Sequence, residues 1–317
     1  MRIIEAGQIT DDFYVMGHPD VPVYLLDGTA PVLFDAGFTV LGPLYIQDIK
    51  KTLGNRVPEY LFLTHTHFDH IGSVAQFKKE WPDLQIAGSP GAPKVLSNPR
   101  AIETIRRLNQ EAARVIESHA GGSLNEVVFE PFNMDLFVEP DQRFELPQNA
   151  SVLAIHAPGH TRDFMAYWVP DKKILIASEA VGCVNGSGNI TPEFLIDYQI
   201  YRKSLKDLSR LDAQVLCPGH RIVVTGTDVT AYFRESLDQA SDYVRMVESF
   251  LREEKGDIEK TVLRVKAREW DDASWPKQPE MSYVINTRER VKCVWKDIQD
   301  GSGFERKEKG EEEKNIS

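Results

Sequence analysis

The chain has 317 residues, 42% of them hydrophobic and 27% charged, with a formal net charge of −11, an ordinary composition for a globular protein. Its longest strictly apolar run, Phe164 to Val169, is six residues, whereas a membrane-spanning helix needs about 20. The excess of 48 acidic over 37 basic residues argues against general nucleic-acid or anionic-membrane binding.

VPVYLLDG (21–28) and APVLFDAG (30–37) read as neighbouring strands broken at Gly28 and Thr29. Residues 41–53 read as a helix, and YLFLT (60–64) as a short buried strand. A helix through Lys79 follows, then the strand LQIAG (84–88). Ile102, Ile105, Leu108, Ala112, Val115 and Ile116 fall near helical spacing and predict a long helix over 98–119, opened by Asn98 as cap and Pro99 as first residue.

From about 134 the β pattern resumes, with strands over 151–157, 164–169 and 173–178. Pro192 reads as the start of a helix running to about Leu211, and 213–217 as a last strand. Helices are then predicted over 228–254, 257–269 and 280–298, before a charged tail, 300–317, read as disordered. The pattern implies an α/β or α+β chain, divided into 1–226, a helical region 227–299, and the tail.

Cys183, Cys217 and Cys293 are an odd, scattered set without C-x-x-C spacing. With no apolar leader in MRIIEAGQITDD, they predict a reducing, cytoplasmic setting.

Five of the eight histidines occupy three turn-like segments: THTHFDHIG, APGHTRD and CPGHR. Each follows a predicted buried strand, where a rigid scaffold presents side chains to a shared cleft. Two histidines one residue apart, His65 and His67, point to the same side of an extended chain. Asp69 and His70, one step further round the turn, can face a second ion. Imidazole nitrogen and carboxylate oxygen are ligands for zinc or iron. None of the cysteines lies in these segments, and there is no G-x-S-x-G nucleophile motif.

THTHFDH matches the H-x-H-x-D-H signature of the metallo-β-lactamase superfamily, PGHT and PGHR look like its later histidine motifs, and FDAG (34–37) is similar to its early Asp-Gly motif. The resemblance covers about residues 12–225. It implies an αββα sandwich with a C-terminal helical extension, and two divalent ions, zinc or iron with manganese a further candidate, at one edge between the sheets. His65, His67 and His160 would hold the first ion, and Asp69, His70 and His220 the second. Glu179 stands where the superfamily places a bridging Asp, and its extra methylene moves the carboxylate by over about 1 Å unless the backbone compensates. Asp35 would be a supporting residue rather than a ligand, and His119 a helix-end residue meeting the dipole.

Two adjacent cations activate a water and polarise a carbonyl, with Asp69 as the catalytic carboxylate that orients the water and carries a proton. The compact core looks like glyoxalase II-type thioesterases and the quinolone-signal response protein of the same superfamily. That implies a small ester, thioester or lactone as partner. Phe68, Phe194, Asp197, Tyr198, Met281 and Tyr283 are the predicted pocket residues. A metal-containing regulatory protein with little turnover and a phosphodiesterase are the alternatives, and the helix at 98–119 is a candidate dimer element.

Overall fold

The computed structural model describes residues 2–3, 5–120, 127–147, 150–275 and 277–301. The predicted tail from 302 onward lies outside the described residues, as does the side chain of His119. In chain order come β1 (Arg2–Ile3), β2 (Gly7–Thr10), β3 (Phe13–Met16), β4 (Val23–Leu26), β5 (Val32–Phe34) and α1 (Gly42–Leu53). Then follow β6 (Tyr60–Phe62), α2 (Phe68–Ile71), α3 (Val74–Glu80), β7 (Gln85–Gly88), α4 (Ala92–Leu96), α5 (Pro99–Ala120) and β8 (Leu136–Phe137). The second half holds β9 (Arg143–Leu146), β10 (Ala150–His156), β11 (Met165–Val169), β12 (Ile174–Ser178), β13 (Cys183–Val184) and β14 (Ile190–Thr191). It closes with α6 (Tyr198–Leu208), β15 (Val215–Pro218), β16 (Val223–Thr225), α7 (Asp228–Glu253), α8 (Ile258–Lys266) and α9 (Glu280–Gln299).

Two mixed sheets form the inner layers. One runs β2-β3-β4-β5-β6-β7-β8, antiparallel up to β5 and parallel beyond it. The other runs β1-β16-β15-β12-β11-β10-β9, with only β12 and β15 parallel. The central strands are almost wholly apolar, and the two-residue period sorts their side chains between cores. Val32, Phe34, Phe62, Ile174 and Ile176 meet between the sheets. Leu33 and Leu61 face outward under α1, α3 and α5, while Leu175 and Ala177 face outward under α6 to α9. This is the αββα sandwich that the sequence implies.

The C-terminal helices share the outer core of the second sheet: Tyr232, Val247, Val262 and Val291 pack in one cluster with Leu175 and Leu216. α5 buries Ile105 and Ala112 in the first half's outer core, so part of its apolar face is used within the chain. Among the described residues, no helix is long and apolar enough to cross a membrane.

Two local differences from the sequence reading have simple causes. The helix expected from Pro192 starts only at Tyr198, because Asp197 is its cap and accepts from the Ile200 amide. Residues 192–197 run irregularly instead, with the Leu195 and Ile196 amides both donating to the Gly159 carbonyl. The helix expected over 257–269 is α-helical only to Lys266 and widens into a π turn over Ala267–Asp271.

Candidate metal centre

The ligand-type side chains gather at one end of the sandwich, with Asp69 and His70 on α2 and the others in the turns that follow strands. His65 and His67 follow β6, His160 follows β10, Glu179 follows β12 and His220 follows β15. The sheets are stitched together there: Tyr167 Oη donates to the Leu63 carbonyl, Tyr24 Oη to the Pro218 carbonyl, and the Met165 amide to the Thr64 carbonyl. Three non-glycine residues beside the centre hold positive φ, Asp35 (59°), Ser178 (47°) and Arg221 (69°). Such conformations cost on the order of 1–3 kcal/mol each and persist where surrounding structure enforces them.

The side chains form two groups. Ligand atoms of His65, His67 and His160 lie within 4.8 Å of one another, and so do those of Asp69, His70, Glu179 and His220. In the first group His67 Nδ1 is 2.9 Å from His160 Nε2. In the second, Glu179 Oε1 is 2.8 Å from His70 Nε2 and 2.9 Å from His220 Nε2, and Asp69 Oδ2 is 3.4 Å from His220 Nε2. Glu179 Oε2 turns towards the first group, 3.9 Å from His65 Nε2, and accepts from Ser178 Oγ.

The far nitrogen of each of four imidazoles is held from behind. His160 Nδ1 donates to the Glu193 carbonyl (2.6 Å) and His220 Nδ1 to the Asp20 carbonyl (2.8 Å). His70 Nδ1 donates to Asp35 Oδ2 (2.9 Å). His65 Nδ1 donates to Thr64 Oγ1 (3.0 Å), whose own proton goes to the Asp35 carboxylate. Each backing bond holds Nδ1 as the donor, so that the neutral ring offers its lone pair at Nε2, the arrangement a metal-ligating histidine needs.

The resulting atoms suit a cation better than they suit each other. His65 Nε2 is buried with no hydrogen-bond partner, and His160 Nε2 faces His67 Nδ1 at 2.9 Å although the His160 proton is already committed to Glu193. A buried, unpartnered nitrogen costs free energy; an ion held by nitrogens removes that cost. The residues fit divalent metal.

The two groups differ electrostatically. Burial lowers all three imidazoles of the first, His65 well below the usual histidine value, His67 less, and His160 to about 3, with neighbouring imidazoles adding to the effect. In the second, burial also opposes the charged form, but carboxylates outweigh it. Glu179, Asp35 and Asp69 hold His70 well above the ordinary value, and Asp69 and Glu179 push His220 up to about 10. Conversely, burial would raise Asp69 and Glu179, yet the facing imidazolium groups hold both down. One group is neutral imidazole; the other is a charge-balanced set of two carboxylates and two histidines.

Glu179 is accommodated by Gly219. A Cβ on Gly219 would lie 2.6 Å from Glu179 Oε1 and 2.8 Å from its carboxyl carbon. The space a larger residue would fill thus receives the longer acidic side chain.

A cavity of about 630 Å³ opens over both groups and includes His67, Asp69, His160, Glu179 and His220 in its wall. Phe68 and Tyr283 line it as the sequence suggests, and so does His18. Phe194, Asp197, Tyr198 and Met281 do not. Phe194 is fully buried, edge-on to Tyr198 and Tyr243; Tyr198 belongs to the same core. Asp197 is spent on capping α6, and Met281 is partly exposed outside the wall. The pattern that marked these aromatics as pocket residues is equally a core pattern. His156 faces away and bonds the Arg162 carbonyl.

Sequence reasoning missed Glu193 and Arg290. Arg290 on α9 is fully buried, donates to the Pro192 carbonyl and Thr287 Oγ1, and lies 3.5 Å from Glu193 Oε1. Burial, partly offset by Arg290, pushes the Glu193 carboxyl up to about 7. Neither stands in a motif, and no spacing signal distinguishes Arg290 among the charges of its helix.

The metallo-beta-lactamase superfamily profile matches residues 17–220. The chain is 25% identical over 321 residues to the beta-lactamase-like protein 2 homolog of Caenorhabditis elegans, covering 96% of this chain and 92% of that protein. It is 24% identical over 200 residues to an atrochrysone carboxyl ACP thioesterase of Aspergillus novofumigatus, covering 62% of this chain and 48% of the thioesterase. A metallo-beta-lactamase family protein from Thermus thermophilus shares the fold, with a TM-score of 0.63 at 17% identity over 93% of this chain and 95% of that one.

Proposed function

The chain belongs to the metallo-beta-lactamase superfamily, and on that premise we propose that it is a binuclear metal-dependent hydrolase of a small ester, with a thioester or lactone as the bond cut. The observation that carries the reading is the pair of ligand groups, three imidazoles and a mixed carboxylate–imidazole set, sharing one cavity wall with Glu179 turned towards both. His65, His67 and His160 would hold one ion, and Asp69, His70 and His220 the other, zinc or iron being the first choices for such donors. Bound there, a pair of divalent ions lowers the pKa of a water to about 7 and polarises a carbonyl.

The chain's own groups do the rest. Asp69 lies in the cavity wall with Oδ2 3.4 Å from His220 Nε2, placed to orient a water and then to carry its proton to the leaving group. Phe68, stacked on Phe38 at 5.5 Å between ring centroids, keeps an apolar edge beside the reacting carbonyl and excludes bulk water. The thioesterase among the relatives favours a thioester over a phosphodiester. Residues 1–226 are the catalytic unit in this reading, 227–299 its cover, and three unpaired cysteines suit a cytoplasmic setting.

Metals per chain, measured on protein purified without added metal, and turnover of a panel of thioesters, lactones, aryl esters and aryl phosphodiesters test the proposal. Nearly two ions per chain, fewer in Asp69→Ala, and ester turnover lost in Asp69→Ala and His67→Ala are expected. Turnover that survives both substitutions would overturn it.

A further inference from the structure

The cavity extends beyond the ligand groups, and much of its wall is apolar. Ala101, Ile105, Leu108, Ala112, Val115 and Ile116 of α5 all line it. They recur at three- and four-residue intervals and so share one helical face. At 1.5 Å per residue that face is about 22 Å long. Ala101, Leu108 and Ile116 keep part of their surface unburied, so the stripe borders the cavity while Leu108 and Ile116 also pack on the core beneath.

The opposite wall is built to match. The π turn after α8 carries Trp270 into the cavity wall beside Tyr283 of α9, with ring centroids 6.1 Å apart. Trp270 Nε1 is satisfied by the Gln278 carbonyl at 2.9 Å, so the indole adds apolar area without an orphaned donor. π turns interrupt regular helices at a cost and concentrate at functional positions. The Met281 amide donates to Glu111 Oε1 at 3.0 Å and ties the start of α9 to the middle of α5.

We infer that the space between α5 and α9 is a gallery for a straight acyl chain of about eight carbons or more, whose carbonyl end reaches the metal-ligand groups. The inference rests on the hydrolase reading and names its substrate class. The elongated aliphatic stripe favours a flexible chain, and Arg100, Thr104 and Lys277 in the same wall are placed to meet a polar group that the chain carries.

The first measurement needs no metal and no turnover. Bromine quenches indole fluorescence on contact, so a brominated decanol titrated into chelator-treated protein reports a chain lying against Trp270. Saturable quenching is expected, lost in Trp270→Phe and weakened at least tenfold in Leu108→Arg, with thermal melts confirming that both variants fold. The second is the ratio of kcat/KM for decanoyl and acetyl thioesters on the metal-loaded protein. At about fourfold per buried methylene, burial of only half of the extra methylenes of decanoyl already gives a preference of roughly 250-fold, and Leu108→Arg reduces the ratio at least tenfold. Equal turnover of the two esters without saturable quenching would overturn the gallery and leave the hydrolase reading standing. Saturable quenching, lost or weakened in the variants as stated, with no ester, thioester or lactone cut, would uphold the gallery and remove the hydrolase reading.

Discussion

Asp35 touches no cavity, yet its replacement by Asn tests how the metal centre is organised. Its carboxylate is 2% exposed. Oδ1 accepts from the Thr64 amide at 2.8 Å, Oδ2 accepts from His70 Nδ1 at 2.9 Å, and the Thr64 hydroxyl donates between them. Asn is isosteric and tolerates the left-handed conformation that Asp35 holds at φ 59°, so backbone strain is not a confounding cost. The amide oxygen keeps the Thr64 bonds, which places the amide NH2 against His70 Nδ1. Two donors then face each other unless the neutral, ion-binding form of His70 carries its one proton on Nε2. That nitrogen is 2.8 Å from Glu179 Oε1, where the protonated tautomer is satisfied but has no lone pair for an ion. Losing the charged acceptor costs about 1–3 kcal/mol of stability. Losing the backing bond weakens the second metal by about 10- to 100-fold, while His65, His67 and His160 keep their donors. Competition against a chromophoric chelator, read as two separate affinities, measures this directly. Wild-type affinity at both steps in Asp35→Asn would refute the account of tautomer control.

His70 is held well above the usual histidine value and His220 at about 10 by facing carboxylates, so at pH 7.5 both carry a proton that they must lose to offer Nε2 to an ion. Loading that group is expected to release about two protons and to weaken as pH falls. Calorimetry in two buffers of different ionisation enthalpy measures the release, and no buffer dependence would contradict it. Gly219→Ala should displace the Glu179 carboxylate and lower second-metal occupancy, and adding Glu179→Asp should restore part of it. Elemental analysis of the two single variants and the double variant checks this, and simple additivity would argue against direct coupling. Burial, aided by Asp197 and Asp297, pushes the Cys293 thiol up to about 12. At pH 8 only about one thiol in ten thousand is then the reactive thiolate, so a disulfide reagent should modify Cys293 only after unfolding, and mass spectrometry of the native digest settles the point.

The strands were legible because they are buried on both faces. Runs such as Tyr60 to Leu63 and Ile174 to Ala177 have no surface position to dilute them, and each ends where a ligand motif begins. Helix α5 was legible from the spacing that puts Ile105 and Ala112 into the core. The short strand β2 was not, because GQIT is partly exposed and carries little apolar signal. The aromatic residues after Glu179 misled for a related reason. Phe194 and Tyr198 have the same chemistry whether they line a pocket or fill a core, and the choice depends on Tyr243 of α7, some 45 positions away in the chain.

The metal centre divides along the same line. His65, His67, Asp69, His70, His160 and His220 stood out because their side chains carry the chemistry and cluster in three short segments. What holds them is distributed differently. His160 is fixed by the carbonyl of Glu193 and His220 by the carbonyl of Asp20, and a carbonyl belongs to every residue alike. A sequence cannot mark such a partner; only the path of the chain supplies it. Substitutions at Asp20 and Glu193 that preserve the backbone therefore preserve these two tautomers, whereas a change in the path of 192–197 alters His160 without touching a ligand. Arg290 reaches this path through the Pro192 carbonyl, which makes a buried cation on the last described helix a support for an imidazole about 130 residues earlier.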